Sequence, residues 1–387
     1  AIPEFKNVDD FNWWLKTVKG KIILLSMYQK FGRPDAQLKD QSLSGDYEII
    51  QKEKKEAQER WNANLQITGH TANQLAEVLE KNGAVGIVIS TWSGEMGANR
   101  IFSSKTLKIP MVDIALEDYG LLYRLAVNGR QPKIKIAINS KDLGKTETFN
   151  TIATIIGSEK PTEYVLLSAH LDSWDGSQGA TDNGTGTITM MEVARILKEI
   201  KPAPKRTIII GHWGSEEQGL NGSRAYAEDH KDIMSKTVVS FNQDSGTGRI
   251  INLSGQGFSK SYEYLGRWLQ NVPNEISQHV NTTFPGMPGT GGTDNAAFIP
   301  YGVPAFNLGS QNWGYGGYTW HTNRDSYDKI IFNELKRNVI LTAILTYQAA
   351  QDEQEISREK RILPLDKDGK SQDWPSAKSP NRTGDYK

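Results

Sequence analysis

The stretch LLSAHLDSWDGSQGATDNGTGT, residues 166–187, joins the end of an apolar strand to a polar, glycine-rich loop. A single histidine and three aspartates lie in this loop. A long amphipathic pattern, TGTITMMEVARILKEI, overlaps its end and predicts a helix. This order of strand, loop and helix is typical of α/β domains, in which ligands bind beyond the carboxyl ends of parallel strands.

The same alternation of apolar strands and amphipathic helices continues through residues 144–352. Further strands are predicted at FNTIATIIGS, RTIIIGHW, KTVVSFNQD and VPAFNL. Further helices are predicted at SKSYEYLGRWLQNV and FNELKRNVILTAILTYQAAQ. We therefore predict a three-layer α/β/α domain with a mostly parallel mixed sheet in this part of the chain.

Residues 1–143 show a smaller α/β pattern without a catalytic-looking cluster. Strands are predicted at GKIILLSM, AVGIVIS, IPMVDI and KIKIAI, and a helix at TANQLAEVLEKNG, with Thr71 and Gly83 as its caps. The Lys/Glu-rich stretch 33–61 is predicted only to be a polar segment. Residues 353–387 are polar and contain proline, which predicts a solvated or loosely docked C-terminal tail.

Composition excludes several classes of chemistry. The 45 basic and 45 acidic residues balance, so no net field attracts nucleic acid or an anionic membrane. The absence of cysteine excludes disulfides, thiolate nucleophiles and Cys-bound zinc, so histidine and carboxylates must hold any metal. The N-terminus, AIPEF, lacks the features of a signal peptide, which leaves a cytosolic chain or one whose signal has been removed.

Acidic side chains or histidine follow the predicted strands in four places. The residues are His170 with Asp172 and Asp182, the pair Glu216 and Glu217, Asp244, and His321. If these strands share one sheet, the side chains converge at its carboxyl edge. Carboxylates and neutral imidazoles are ligands that suit zinc or a similar divalent ion.

Local spacing indicates how some of these groups could cooperate. Asp172 lies two positions after His170, on the same side of a strand, and can accept the free ring N–H of the imidazole. Glycines around Asp182 allow its carboxylate to turn back toward that ring. Glu216 and Glu217 are adjacent and cannot easily point the same way, so one binds metal while the other meets a bound water. Spacing does not decide which.

The ordered motifs resemble those of the co-catalytic di-zinc exopeptidases, which include bacterial secreted aminopeptidases and plasma glutamate carboxypeptidase. The resemblance extends from about Thr146 to Ala350, and residues 1–143 resemble the protease-associated domain that some members carry. The matching segments are SAHLDSW, GATDNGTG, GSEEQGLNGS, the strand-end Asp244, GGTDNAAFIPYGVPAF and WHTNRDSYDKI.

The resemblance implies two zinc ions per chain, with a water between them that attacks the peptide bond. It implies that Glu216 is the general base, that Asp172 orients His170 and that the Asp182–Asn183 peptide bond is cis. The implied ligands are His170 and Asp244 for one ion, Glu217 and His321 for the other, and Asp182 as the bridge between them.

Aromatic residues near His321 suggest a substrate pocket. The predicted substrate-binding residues are Trp313, Tyr315, Tyr318, Trp320 and Arg324. Many relatives place a tyrosine near the last histidine ligand, and here Trp320 precedes it, so the oxyanion donor stays open. Asp294 is expected to cap the helix NAAFI, with a role in the site as the alternative.

The resemblance favours a metallopeptidase that acts as an aminopeptidase. The alternatives are a carboxypeptidase or dipeptidase of the plasma type, a single-zinc glutaminyl cyclase-like transferase, and a non-enzymatic receptor-like domain. We expect a peptide substrate and neither nucleic acid nor a membrane as partner, with a homodimer as one alternative for the oligomeric state. The family implies a secreted or periplasmic protein whose signal peptide has been removed. Relatives have helices before the inserted module, so we expect the sequence to be a fragment.

Overall fold

The computed structural model describes residues 1–141 and 143–383, which form two compact units. The first unit comprises Ala1–Leu143 and the short segment Gly316–Arg324. The second unit comprises Gly144–Tyr315 and Asp325–Lys387. The chain therefore leaves the second unit once, for nine residues that include His321, and then returns to it.

The first unit contains a three-stranded parallel sheet in the order β1–β2–β3. Its two faces pack into separate apolar clusters, with Ile23 and Ile87 on one side and Leu24 and Val88 on the other. The elements are α1 (Val8–Leu15), β1 (Ile22–Leu24), α2 (Asp35–Gln41), α3 (Asp46–Thr68), α4 (Ala72–Lys81), β2 (Gly86–Ile89), β3 (Met111–Asp113) and α5 (Leu116–Val127).

The second unit is built on a seven-stranded sheet in the order β4–β6–β5–β7–β10–β8–β9. The pairs β4–β6 and β10–β8 are antiparallel and the other neighbours are parallel. The strands are β4 (Thr151–Ile155), β5 (Lys160–His170), β6 (Arg206–Trp213), β7 (Thr237–Asn242), β8 (Ile250–Ser254), β9 (Asn281–Thr283) and β10 (Ala305–Ser310).

Helices cover both faces of this sheet. Because successive strand residues point to opposite faces, Val165 and Leu167 of β5 pack into one apolar cluster and Leu166 into another. This confirms the predicted α/β class with a mostly parallel mixed sheet. The helices are α6 (Thr185–Ile200), α7 (Asn221–Asp229), α8 (Lys231–Lys236), α9 (Ser261–Leu269), α10 (Asn274–Ser277), α11 (Asn295–Phe298) and α12 (Phe332–Gln351).

Two segments of the first unit differ from the sequence-based expectation. The polar stretch 33–61 contains α2 and most of the 23-residue helix α3. Strong helix formers and i,i+4 ion pairs such as Lys52–Glu56 and Lys55–Glu59 support α3 without a marked apolar face. The predicted strand KIKIAI, residues 133–138, is wrong, since these residues form no strand in the structure and Ile138 is 54% exposed.

The C-terminal segment contacts the second unit at several positions, while most of its described residues are exposed. Ile356 and Leu363 are buried, and the Trp374 ring packs against Phe258 with centroids 5.4 Å apart. Near its end, the Asn381 N–H donates to the Asn221 side chain at 2.8 Å. Within the described residues, no helix has the length and apolar character that a membrane crossing requires.

Trp213 connects the core of the second unit to the carboxyl end of the sheet. Its ring is fully buried against Tyr226 and Phe298, with centroids 5.1 and 5.6 Å away. Its indole N–H donates to the Ser168 hydroxyl at 2.7 Å, and that hydroxyl donates to Asn242 at 2.8 Å. These hydrogen bonds join β6, β5 and β7 at the level where the strands end.

We expect Trp213→Ala to lower the free energy of unfolding by about 3–5 kcal/mol, because it leaves a large cavity and removes a buried donor. Urea unfolding of the whole protein, followed by circular dichroism, measures this loss. Trp13→Ala is the control, because the Trp13 side chain is 69% exposed and should change stability little. Equal effects of the two variants would contradict the structural role of Trp213.

Candidate metal centre

Three neighbouring parallel strands end together at the candidate site. β5 lies between β6 and β7, and His170 is its last residue. Glu216 lies three residues beyond the end of β6, and Asp244 two residues beyond the end of β7. The predicted convergence of strand ends therefore occurs for these three positions.

The imidazole of His170 lies between two carboxylates. Its Nε2 atom is 3.3 Å from Asp182 Oδ1 and 3.3 Å from Asp244 Oδ1, and the ring is 1% exposed. Burial lowers the pKa of His170, but the charge of Asp244 and hydrogen bonds to the surrounding aspartates raise it well above its ordinary value. The metal-free site therefore favours a proton on the ring, and a bound cation would displace it.

The donor set has the composition and spacing that zinc requires. Ligand atoms of His170, Asp182 and Glu217 all lie within 4.8 Å of one another. Atoms about 2.0–2.1 Å from a tetrahedral zinc lie about 3.3 Å apart, which is the separation between His170 Nε2 and each neighbouring carboxylate oxygen. One nitrogen and several carboxylate oxygens without thiolate therefore fit zinc in this place.

Asp172 holds the site in a different way from the one its spacing suggests. The His170 Nδ1 atom is 2.9 Å from the Asp172 main-chain carbonyl but 3.7 Å from its carboxylate. The carboxylate instead accepts the main-chain N–H of Glu216 at 3.0 Å and of Glu217 at 3.2 Å. Asp172 thus contacts the imidazole through its backbone and fixes the two glutamates through its side chain.

Glu216 is a buried carboxyl group beside other acids. Burial, together with the charges of Asp294 and Asp244, raises its pKa well above the usual range. A carboxyl group of raised pKa can both accept and return a proton near neutral pH, as a general base must.

Asp294 makes no capping hydrogen bond to α11, so the expected capping role is wrong. Its side chain is completely buried, and this burial raises its pKa to about 7. The charges of Asp244 and Asp172 act in the same direction, while His170 opposes them. Sequence spacing gave little sign of this position, because Asp before a short helix is most often a cap.

The loop that carries Asp182 packs tightly against the end of β7. The Asp182–Asn183 peptide bond is cis, as the resemblance implies. Asn183 donates to the Gln243 carbonyl at 2.9 Å and accepts the Gly186 N–H at 3.1 Å. A Cβ atom at Gly186 would lie 2.3 Å from the Asn183 side-chain oxygen and 2.3 Å from the Gln243 carbonyl oxygen, so only glycine fits there.

His321 lies in the nine-residue segment assigned to the first unit. β10 ends at Ser310, so His321 does not directly follow a strand, contrary to the expectation. Its ring stacks on Trp320 at 3.9 Å and meets the edge of Phe102 at 4.9 Å. Its left-handed backbone, with φ of 57°, is uncommon outside glycine. The assignment of His321 as a metal ligand stays a prediction.

The predicted substrate-binding residues fall in both units. Trp313, which is 53% exposed, and Tyr315 belong to the second unit, whereas Tyr318, Trp320 and Arg324 belong to the first. Burial and the charges of Asp244 and Asp182 raise the pKa of Tyr315 well above its ordinary value. The pKa of Tyr315 therefore responds to the metal-site carboxylates.

Asp325 is a residue that sequence reasoning missed. Its carboxylate accepts the main-chain N–H of Thr181 at 2.7 Å and of Asp182 at 2.9 Å. The sequence feature that could have identified Asp325 is its position in WHTNRDSYDKI, four residues after His321. Its partners are backbone groups, so no pairing of side-chain types along the chain pointed to it.

Comparison with known proteins agrees with this geometry. The description "Peptidase family M28" matches residues 150–345, about half of the chain, including His170, Asp182, Glu217 and Asp244. The chain belongs to peptidase family M28. The zinc chemistry inferred from the donor set is that of the family's co-catalytic enzymes, which use two zinc ions.

Several M28 relatives are similar to the chain over large regions. Carboxypeptidase Q of Mus musculus is 31% identical over 72% of this chain and 59% of its own length. Carboxypeptidase Q of Homo sapiens is 31% identical over 65% of this chain and 52% of its own length. The chain thus spans little more than half the length of these curated relatives.

Solved structures share the fold. A peptidase M28 precursor from Shewanella amazonensis SB2B superposes with a TM-score of 0.65 at 23% identity, over 94% of this chain and 75% of its own. The zinc aminopeptidase BSAP from Bacillus subtilis gives 0.56 at 20% identity, over 91% of this chain and 74% of its own. At these identities the likeness extends to the fold alone.

We expect Asp294→Asn to stabilise the metal-free protein at pH 8 but not at pH 4. A carboxyl group whose pKa rises from 3.8 to about 7 on folding stabilises the fold while protonated, and this contribution is lost as pH rises through that interval. Asparagine retains the shape without the charge. Thermal unfolding of chelator-treated protein between pH 4 and 8 measures the effect. A difference in Tm that does not change with pH would contradict the ionisation of Asp294.

Proposed function

We propose that the protein is a zinc-dependent exopeptidase that hydrolyses terminal peptide bonds as an aminopeptidase. The main support is the position of His170 Nε2, 3.3 Å from carboxylate oxygens of both Asp182 and Asp244, beside the buried Glu216. Membership of family M28 supports the same conclusion. A receptor-like domain would not need an intact donor set beside a general base.

The proposed ligands divide between two zinc ions as the resemblance implies. The two zinc ions, when bound, would polarise the scissile carbonyl group and lower the pKa of the attacking water. The proposed ligands are His170 and Asp244 for one ion, Glu217 and His321 for the other, and Asp182 for both.

Glu216 carries the proton in the proposed reaction. Its carboxylate accepts a proton from the attacking water as the oxygen bonds to the carbonyl carbon. The same carboxyl group then donates that proton to the amide nitrogen as the C–N bond breaks, which yields a free amine and a carboxylate. Asp172 keeps Glu216 in position by accepting its main-chain N–H.

Tyr315 is the proposed hydrogen-bond donor to the carbonyl oxygen. Burial and the neighbouring carboxylates of Asp244 and Asp182 raise its pKa, so the phenol keeps its proton and can donate it in a hydrogen bond. Trp313, Tyr318 and Trp320 would form the apolar part of the substrate pocket. This assignment gives the site an oxyanion donor although no tyrosine directly precedes His321.

Carboxypeptidase action is the second candidate, favoured by the similarity to carboxypeptidase Q. It requires a cation that binds the terminal carboxylate of the substrate. Arg324 is the predicted candidate, and its guanidinium group donates to the Gly97 carbonyl at 3.1 Å and lies 5.9 Å from the Tyr318 ring. The hydrogen bond to Gly97 uses one of the five guanidinium N–H donors, so it does not by itself exclude carboxylate binding.

The remaining features of the proposal concern the whole protein. We assign residues 1–143 as a domain similar to the protease-associated domain, from their parallel three-stranded sheet and from the sequence resemblance. Residues 144–352 would then be the catalytic domain. A secreted or periplasmic location is part of the proposal, a homodimer stays one alternative for the oligomeric state, and neither nucleic acid nor a membrane is expected as a partner.

Peptides with blocked ends test the exopeptidase assignment. We expect the zinc-loaded protein to hydrolyse a free peptide and its C-amidated form at similar rates, and to lose at least most of its activity on the N-acetylated form. Amine release measures each rate. The opposite pattern would favour carboxypeptidase action, and hydrolysis of a doubly blocked peptide would contradict both.

We expect Glu216→Gln to retain two zinc ions per chain and to lower kcat by about 10²–10⁴-fold, because glutamine cannot shuttle the proton. Zinc content and amine release are measured on the same samples. Glu217→Gln is the matched control, since the same change at the adjacent residue should reduce zinc content. Normal turnover by Glu216→Gln would require another base.

A further inference from the structure

We propose that Asp325 is a positioning residue that fixes the metal ligand Asp182 through the backbone of its loop. Asp325 Oδ1 accepts the Thr181 N–H at 2.7 Å and Oδ2 accepts the Asp182 N–H at 2.9 Å. We call this arrangement the Asp325 clamp. The inference deepens the proposed function and rests on it, since it assumes that Asp182 binds zinc.

The Asp325 clamp is buried and is reinforced by backbone hydrogen bonds in both directions. Asp325 is 3% exposed, and its carbonyl accepts the N–H groups of Gln178 at 3.1 Å and Ala180 at 3.4 Å. Gln178 also binds the segment that follows Asp325, because its side-chain oxygen accepts the Tyr327 N–H at 2.7 Å. The loop before Asp182 is therefore joined to the segment around Asp325 at several successive residues.

Repulsion within the site explains why this loop needs such restraint. The Asp182 and Asp244 carboxylates each place an oxygen 3.3 Å from His170 Nε2, and a Glu217 oxygen lies within 4.8 Å of Asp182, so three like charges stand close together. The loop also contains Gly179, whose backbone is in the left-handed conformation. Glycine has no side chain to restrict its backbone, so this residue does not hold the loop in one conformation by itself. Without a restraint on the backbone, Asp182 could relieve the repulsion by turning away from His170.

A carboxylate suits this task better than an amide of the same shape. Both oxygens of Asp325 accept a main-chain N–H, and charge-assisted hydrogen bonds of this kind are stronger than neutral ones. Asparagine has only one acceptor oxygen, so its NH₂ group would face one of the two N–H donors. Asp325→Asn thus breaks half of the Asp325 clamp with almost no change in volume.

The site uses the same device at its other ligand-bearing turn. Asp172 accepts the N–H groups of Glu216 and Glu217 with one oxygen each, as Asp325 does for Thr181 and Asp182. In both cases, the carboxylate binds two consecutive N–H groups, one of which belongs to a proposed metal ligand. This repetition indicates that main-chain restraint of the ligands is a feature of the site.

Zinc affinity of Asp325→Asn tests the proposal. We expect the dissociation constant of at least one zinc ion to rise by about 10–100-fold, the usual effect of losing a group that orients a ligand. Competition with a fluorescent zinc indicator measures the constants. The visible spectrum of the cobalt-substituted protein should change as well, because it reports the ligand geometry rather than stability.

Two further variants complete the experiment. Asp325→Glu keeps two acceptor oxygens and should recover part of the zinc affinity. Asp328→Asn makes the same chemical change three residues away at a side chain that is 70% exposed, and should leave zinc binding unchanged. If Asp325→Asn does not fold, Gln178→Ala removes one hydrogen bond of the same loop and should raise the zinc dissociation constant severalfold in a folded protein.

The outcomes separate the clamp from the proposed function. Wild-type protein that binds no zinc would overturn the proposed function. Wild-type protein with two zinc ions, together with an Asp325→Asn variant of unchanged zinc affinity and cobalt spectrum, would overturn only the Asp325 clamp. A lower Tm with those two properties unchanged would also overturn it, because Asp325 would then act on stability alone.

Discussion

The candidate site depends on bringing several carboxylates close together in a buried space. The Nε2 atom of His170 lies 3.3 Å from carboxylate oxygens of both Asp182 and Asp244, and Glu216 and Asp294 lie buried beside them. Like charges in such a place repel one another and lose hydration, so they require cations, protons or fixed backbone dipoles to remain there. The neighbouring features of the second unit provide such cations, protons or backbone dipoles.

The sheet order provides the first part of this arrangement. β6, β5 and β7 are neighbours although they do not follow one another in that order along the chain. The Trp213–Ser168–Asn242 hydrogen bonds align their ends, and the apolar clusters on both faces hold the sheet between its helices. Ligands on separate loops therefore start from fixed positions, as in other α/β domains.

Sequence reasoning succeeded where a residue's own chemistry carried the signal. The apolar runs gave β5 and β6, and the amphipathic period gave α6 and α12 with the bounds that the structure shows. It failed for α3, whose charged residues support a helix without an apolar stripe, and for KIKIAI, whose alternation finds no partner strand. The order of strands was not predictable, because it depends on contacts distant in sequence.

The backbone partners of two aspartates were missed for a related reason. Asp172 and Asp325 bind N–H groups that every residue except proline offers, so no spacing of side-chain types marks their partners. Their effect nevertheless reaches the reactive groups, because an aspartate has few rotatable bonds between its main chain and its oxygens. Fixing the N–H of Asp182 therefore fixes much of the path of its carboxylate. The precision of a metal site in this fold thus depends as much on carboxylates that never touch the metal as on those that do.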